Sequence, residues 1–388
     1  MKKGWENKKL GEVCLLSAGG DVPKDNFSYI KTDDYQIPIY ANGEKNEGFY
    51  GFTNKAKVTK PSITVSARGT IGYAVKRLEP FFPIVRLIVV TPINLKELGL
   101  DYLDYVLRKI DFKHSGSSIP QLTVPMIKDY EIPIPPLSEQ QRIVSILETA
   151  FEAIDKAKAN AEQNLKNSKE LFESYLQNIF SSTGEGWEEE IIKEVCELKS
   201  GTTISTTLER SEGNVLYVKV GDMNLLENEV EINTSSRFVN NSEIKLNQII
   251  PNGAIIFPKR GGAIATNKKR KIVKPTIVDL NTMAIIPGSK IDSNYFFHWF
   301  QLIDLNSISN GTSIPQINNY SFDAVKIPFP KSIIHQQTIV QKIDSLLIET
   351  KRLEAIYLQK LIDLEELKKS LLEKAFKGEL KTEKIVVL

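Results

Sequence analysis

The chain has 388 residues, 41% of them hydrophobic and 25% charged, with a formal net charge of +2. This length accommodates two globular domains with connectors, and the composition supplies ample apolar material for cores. There is no run of 18 apolar residues and the opening Met1-Lys2-Lys3-Gly4-Trp5 lacks a signal-peptide core, so the expectation is a cytoplasmic protein with no membrane span.

The first segment, 1–137, opens on Gly4-Trp5-Glu6 and Gly11-Glu12-Val13-Cys14. Short strand-like runs follow at Ile37–Tyr40, Ser62–Ser66 and Ile84–Val90, separated by turns such as Asn42-Gly43, with a helix over Asp101–Ile110. The segment closes on Gly116-Ser117-Ser118-Ile119-Pro120-Gln121-Leu122 and on Ile132-Pro133-Ile134-Pro135-Pro136-Leu137, whose prolines forbid a helix. A long helix occupies 138–182, with Ser138 as N-cap and Gln141 completing a capping box. Its apolar residues step by three and four from Ile143, Leu147, Ala150 and Ile154 to Phe172, Tyr175 and Ile179, the spacing of a coiled-coil seam.

The second segment, 183–331, begins with Gly186-Trp187-Glu188 and carries strand-like runs at Asn214–Val218 and Ala254–Phe257 and a helix at Asn294–Leu302. A second long helix spans 332–380, capped by Ser332, with a stripe through Leu346, Leu353, Leu364 and Leu371, a stop at Gly378 and a tail at 381–388.

The two segments repeat one another. Gly4-Trp5-Glu6 returns as Gly186-Trp187-Glu188, Ser117–Leu122 as Ser/Thr-x-Pro-Gln at Thr312–Ile317, Ile132–Pro135 as Ile327–Pro330, and Gln140-Gln141 as Gln336-Gln337. The offset drifts only from 182 to 196, which indicates one ancestral half duplicated, too long a period for a solenoid. Between the shared words the halves diverge, apart from an Arg-Gly step at Arg68-Gly69 and Arg260-Gly261. The expected fold is α+β: two mixed α/β domains held apart by two long antiparallel coiled-coil helices, related by a pseudo-twofold axis. Each helix is on the order of 60 Å long and cannot hold an apolar stripe alone in water. Each Gly-Trp is expected near the end of a long helix.

The motifs of catalysis are missing. No Gly-x4-Gly-Lys-Ser/Thr loop, no Gly-x-Gly-x-x-Gly after a strand, no amino-methyltransferase tetrapeptide and no nuclease signature occurs. Cys14 and Cys196 sit on apolar stretches at equivalent positions and read as buried thiols, while His114, His298 and His335 read as surface or capping residues rather than metal ligands. Residues 1–137 carry 19 Lys and Arg against 15 Asp and Glu, and 183–331 carry 16 against 17, with basic residues clustered at Lys259, Arg260, Lys268–Lys271 and Lys274. Such clusters suit phosphate contacts or a solvated loop. A binding protein fits these absences; a coiled-coil adaptor with protein-binding end domains is the alternative, and a nuclease without a legible motif the next.

The repeated grammar of Gly-Trp start, variable domain, Gly-x-Ser-x-Pro-Gln, Ile-Pro-x-Pro-Pro, Ser-Glu-Gln-Gln-Arg-Ile-Val and long helix resembles the specificity subunits of type I restriction–modification systems over nearly the whole chain. The resemblance implies two target recognition domains, 1–137 and 183–331, each reading one half of an asymmetric bipartite target in double-stranded DNA, with the helices as spacers that dock partners. It further implies assembly with two modification subunits and two restriction subunits. S-adenosylmethionine, ATP and Mg would then belong to those partners, leaving this chain with no cofactor, metal or catalytic residue of its own. Base readout is expected from Arg68 and Arg260, since Arg bonds guanine bidentately, with Gln121 and Gln316 as adenine contacts or as turn residues. Lys268, Lys269, Arg270 and Lys271 are expected on phosphates, and Lys60, Lys76, Arg77, Ser118, Lys259, Thr312 and Ser313 complete the candidate DNA-binding set. Gln140, Gln141, Arg142, Gln336 and Gln337 are the candidates for partner docking. The second copy departs from the pattern in two places: His335 and Thr338 replace Glu139 and Arg142, and Ile327-Pro328-Phe329-Pro330 lacks the second consecutive proline.

Overall fold

The structure is a computed structural model and describes residues 4–113, 120–182, 184–311 and 314–380. The chain divides into two compact units, one of Met1–Gln163 with Leu358–Leu388, the other of Asn164–Tyr357.

In the first unit β1 (Glu6–Lys9) leads into a single helical turn, α1 (Leu10–Val13), and β2 (Cys14–Ala18). Then come β3 (Ile37–Tyr40), β4 (Phe49–Thr53), β5 (Ser62–Val65), β6 (Ala74–Arg77), β7 (Phe82–Pro83) and β8 (Ile88–Pro92), followed by α2 (Leu100–Lys109), α3 (Val124–Lys128), β9 (Glu131–Ile134) and the long α4 (Leu137–Ser181). The strands form a four-stranded sheet ordered β2-β8-β5-β6, a three-stranded sheet β4-β3-β7 and the pair β1-β9. The expected strand over 84–90 starts only at Ile88, because Val85 and Arg86 adopt positive φ of 51° and 60°.

The second unit rebuilds this frame. It holds β10 (Trp187–Ile191), α5 (Ile192–Val195), β11 (Cys196–Ser200), β12 (Val215–Val218), β13 (Glu231–Ile232), β14 (Phe238–Val239), β15 (Ile255–Pro258), β16 (Arg270–Ile272), β17 (Thr276–Val278), β18 (Thr282–Pro287), α6 (Ser293–Gln301), β19 (Lys326–Pro330) and the first part of the long α7 (Ile333–Lys377), whose residues from Leu358 belong to the first unit. Its sheets run β11-β18-β15-β16-β13, β14-β12-β17 and β10-β19. In each copy the three-stranded sheet has one antiparallel and one parallel neighbour pair, so the repeat extends to strand polarity.

Within the first unit the beginning of α4 and the end of α7 run antiparallel: Lys158 bonds Glu365 at 2.6 Å and Asp155 pairs with Lys368 at 3.3 Å. Leu147, Ala150 and Ile154 share a core there with Leu364, Leu371, Ala375 and Phe376. Trp5 lies in the same core. Within the second unit the end of α4 packs on the beginning of α7 through Leu176, Phe180, Ile339, Val340 and Ile343, with Trp187 against them. The deepest apolar α4 positions in this unit, Leu176 and Phe180, are one residue on from the expected Tyr175 and Ile179. A straight helix drifts by about 20° per heptad against a 3.5-residue seam, which accounts for the shift.

The helix starts differ from one another. α4 begins at Leu137, because the Pro136 carbonyl accepts the N–H groups of Glu139 and Gln140 at 2.8 and 3.0 Å. Ser138 thus lies inside the first turn instead of capping it, and the expected capping box with Gln141 goes with it. α7 does begin after Ser332, whose Oγ accepts the His335 N–H at 3.4 Å. Cys14 and Cys196 are buried at the starts of β2 and β11, and burial pushes both thiols up to about 12. His298 is a correction: it is only 6% exposed, its Nε2 lies 2.8 Å from the Asp344 carboxylate, and burial lowers its pKa. No helix among the described residues is long and apolar enough to cross a membrane.

Candidate nucleic-acid interface

The strand ends after β5 and β15 carry the two Arg-Gly steps. A residue leaving a strand into Gly can expose its side chain while its main chain still bonds a neighbour, since Gly accepts the positive φ of the turn. Gly69 and Gly261 take φ of 75° and 73°. Arg68 forms an isolated antiparallel bridge with Gln121, and Arg260 forms the same bridge with Gln316. The bridges are reinforced by parallel bonds: Leu122 N–H to the Ala67 carbonyl and Ile317 N–H to the Lys259 carbonyl, each at 2.9 Å. Four residues picked from the sequence on separate words of the repeat are therefore joined in two equivalent pairs.

Both arginines are exposed, and among the described residues neither guanidinium has a hydrogen-bond or ion-pair partner. In the first unit Arg68, Gln121, Asp21 and Arg86 line a cleft of about 400 Å³. Arg86 Nη1 donates to Gln121 Oε1 at 3.3 Å. Arg86 is not among the residues expected at the site, although a charge inside the apolar run Ile84-Val85-Arg86-Leu87 signals that the run is not a continuous buried strand.

The rest of the candidate set divides by burial. Lys60 is exposed, and Lys76 pairs with Asp101. Arg77 is a correction: it is 7% exposed, stacks 3.5 Å over the Tyr40 ring and bonds Glu47, so it holds β6 to its neighbours rather than reaching a ligand. Lys269 is another. It is 2% exposed, its ammonium donates to the carbonyls of Ile303 and Gln301 at 2.6 and 3.4 Å, and desolvation lowers its pKa to about 8. A phosphate cannot reach it.

The remaining members of that basic cluster are also tied inward. Lys268 bonds Asn224, Arg270 bonds the carbonyls of Lys269 and Met223, and Lys271 pairs with Glu231 at 2.7 Å. Lys259 donates to Ser200 Oγ at 3.0 Å, and burial followed by the Arg260 charge lowers its pKa. Ser118, Thr312 and Ser313 lie outside the described residues.

The docking candidates separate in the same way. Gln140 and Gln336 are 1% and 0% exposed. Gln140 Oε1 accepts from Gly99 N–H at 2.9 Å while its Nε2 donates to the carbonyls of Glu97 and Pro135 at 2.7 and 2.9 Å. Gln336 makes the same three bonds, from Asp292 N–H at 2.8 Å and to Lys290 and Pro330 at 2.9 and 2.8 Å. These buried amides pin each long helix to the loop before α2 or α6, which corrects their assignment to docking. Gln141 and Gln337 are exposed beside them, and Arg142 is half-buried against Glu139 at 2.7 Å.

A family model for the type I restriction modification DNA specificity domain matches residues 2–166 and again 184–363. A putative type I specificity subunit of Mycoplasma pneumoniae is 36% identical over 184 residues, 46% of this chain and 54% of that protein. A second from the same organism is 32% identical over 44% of this chain and 47% of its own length, so the match spans about half the length of these curated relatives. The MjaIX specificity subunit of Methanocaldococcus jannaschii is 24% identical over 99% of this chain and 95% of its own. Among solved structures, the HsdS subunit from Thermoanaerobacter tengcongensis superposes with a TM-score of 0.65 at 18% identity, covering 98% of each chain. A chain from a study of complex assembly and conformational transition of the type I R-M system gives a TM-score of 0.77 at 18% identity, over 98% of this chain and 99% of that one. Those two likenesses are of fold. With two tandem copies of the matched domain, the chain belongs to the type I restriction–modification DNA specificity family.

Proposed function

We propose that this chain is the DNA-sequence-specificity subunit of a type I restriction–modification complex, with each unit reading one half of an asymmetric bipartite target. The observation that carries the reading is the Arg-Gln bridge made twice, Arg68 with Gln121 and Arg260 with Gln316. Each presents an exposed guanidinium at a strand end, and the surroundings of the two differ. Arg matches the O6 and N7 acceptors of guanine in a fork, so an exposed guanidinium on a rigid main-chain bridge suits base readout in the major groove.

The role is recognition without catalysis in this chain. Methylation and cleavage, with their S-adenosylmethionine, ATP and Mg, fall to two modification and two restriction subunits in the cytoplasm. Gln141, Arg142 and Gln337, at the outer faces of the helix starts, are the docking residues that remain. The helix pair sets the half-site spacing, as protein symmetry does in dimeric readers. The test is co-expression with a modification subunit and mapping of methylated adenines. The expected result is two adenines in one interrupted asymmetric sequence; methylation without a fixed sequence would refute the reading.

A further inference from the structure

The connections entering β8 and β18 are built on one plan. Gly19 N–H donates to the Leu87 carbonyl at 2.8 Å and Gly20 N–H to Pro83 at 3.3 Å; Gly201 N–H donates to Thr282 at 3.0 Å and Thr202 N–H to Val278 at 2.9 Å. Pro83 and Leu87 thus correspond to Val278 and Thr282, both at an offset of 195. The close approach is also shared: a Cβ on Gly19 would lie 2.8 Å from the Ile84 backbone, and one on Gly201 1.9 Å from the Asp279 carbonyl oxygen. In this common frame Arg86 occupies the position of Asn281, and both are exposed.

Each tip is held against its strain or its freedom. Val85 and Arg86 sit at φ of 51° and 60°, a region that a β-branched residue enters only under constraint. The constraint is visible: Val85 N–H donates to Gly20 at 2.7 Å, Arg86 N–H to Gly19 at 3.1 Å, and the Asn42 amide donates to the Val85 carbonyl while accepting from Ala67 N–H at 2.7 Å. Backbone strain that the surroundings over-determine clusters at ligand sites.

In the second unit no side chain intervenes, and Lys259 N–H bonds the Asn281 carbonyl directly at 2.8 Å. There Asp279 accepts one amide hydrogen of Asn281 at 3.0 Å. Among the described residues the other amide hydrogen and the Oδ1 of Asn281 have no partner, which leaves them for a ligand. At the first tip Asp21 shares the cleft with Arg86 and Arg68. A carboxylate repels a phosphate there, whereas a base edge offers donors as well as acceptors.

We infer that Arg86 and Asn281 are one reading position used twice, Arg86 recognising a guanine in the half-site of the first unit and Asn281 an adenine in the half-site of the second. The assignment rests on the duplex-reading role proposed above. It explains how a duplicated frame yields an asymmetric target: the shared Arg-Gln bridges supply the same groups to both halves, and the tips supply different ones.

The test is binding-site selection from a randomised duplex library, using the full chain in complex with its modification subunit. Wild type is compared with Arg86→Ala and Asn281→Ala, both exposed positions. Arg86→Ala should lose preference at one guanine pair of one half-site, with discrimination there falling about 5- to 150-fold. Asn281→Ala should do the same at one adenine of the other half-site. A bipartite wild-type motif that returns unchanged in both variants overturns this inference and leaves the parent reading standing. So does a loss of affinity uniform over sequence with a shallower salt slope, the mark of a phosphate contact. A wild-type complex that enriches no sequence sinks both.

Discussion

Arg68 and Gln121, 53 residues apart in sequence, exchange a main-chain bridge that Arg260 and Gln316 reproduce in the second unit. The bridge fixes the backbone of each arginine and leaves its guanidinium exposed. Side-chain truncation should therefore spare the fold and strike binding. Arg68→Ala and Arg260→Ala are each expected to weaken specific duplex binding by about 1–3 kcal/mol and to relax one half-site only. Competition binding against half-site variants measures this, and equal loss at both half-sites would contradict it.

Gln140 and Gln336 should behave as folding residues. Each satisfies one part-buried N–H, one part-buried carbonyl and one buried carbonyl, and leaving the buried one unpaired costs about 1–3 kcal/mol, the part-buried ones less. Gln140→Ala or Gln336→Ala should lower unfolding free energy by about 3 kcal/mol in urea titrations. The exposed neighbours Gln141 and Gln337 should change stability by no more than about 0.5 kcal/mol when truncated.

Lys269 gives a pH signature of opposite sign to the usual one. Its pKa falls from 10.5 to about 8 in the folded chain because its ammonium is desolvated. Below pH 8 folded and unfolded chains both hold the proton, and the folded state bears the cost of a buried charge. Between pH 8 and 10.5 the folded chain has released a proton that the unfolded chain retains, so stability rises with pH. Relative to Lys269→Met, wild type should gain up to about 3 kcal/mol across that window. Parallel stability curves would dismiss the buried-ammonium account, as would a change in the salt slope of DNA binding in Lys269→Met.

Spacing offers a geometric check. A heptad inserted in register into both α4 and α7 adds about 10 Å of helix, or roughly three base pairs at 3.4 Å each. The methylated adenines should move apart by that amount. An unchanged spacer would remove the helices from any role in measuring the target.

Much of this was legible in the linear chain. Repetition of Gly-Trp, Ile-Pro-x-Pro and Gln-Gln words revealed the duplication, because those words mark turns, strand ends and helix starts whose backbone needs are local. The unbroken length of α4 and α7 and the buried thiols of Cys14 and Cys196 follow equally from local pattern and burial tendency. What the sequence could not decide was which polar side chains face inward. Lys269 and Arg270 read as neighbours of Lys268 in a basic surface run, yet the carbonyls of Gln301 and Ile303 draw the Lys269 ammonium, just before β16, into the interior. Gln140 and Gln141 are adjacent and alike as letters, but helix rotation buries one and exposes the other. Arg86 carries a local signal, a charge inside an apolar run, but its place at the cleft is set by Gly19 and Gly20, which follow β2 and bond residues 83–87, contacts between positions more than 60 residues apart that no local propensity encodes.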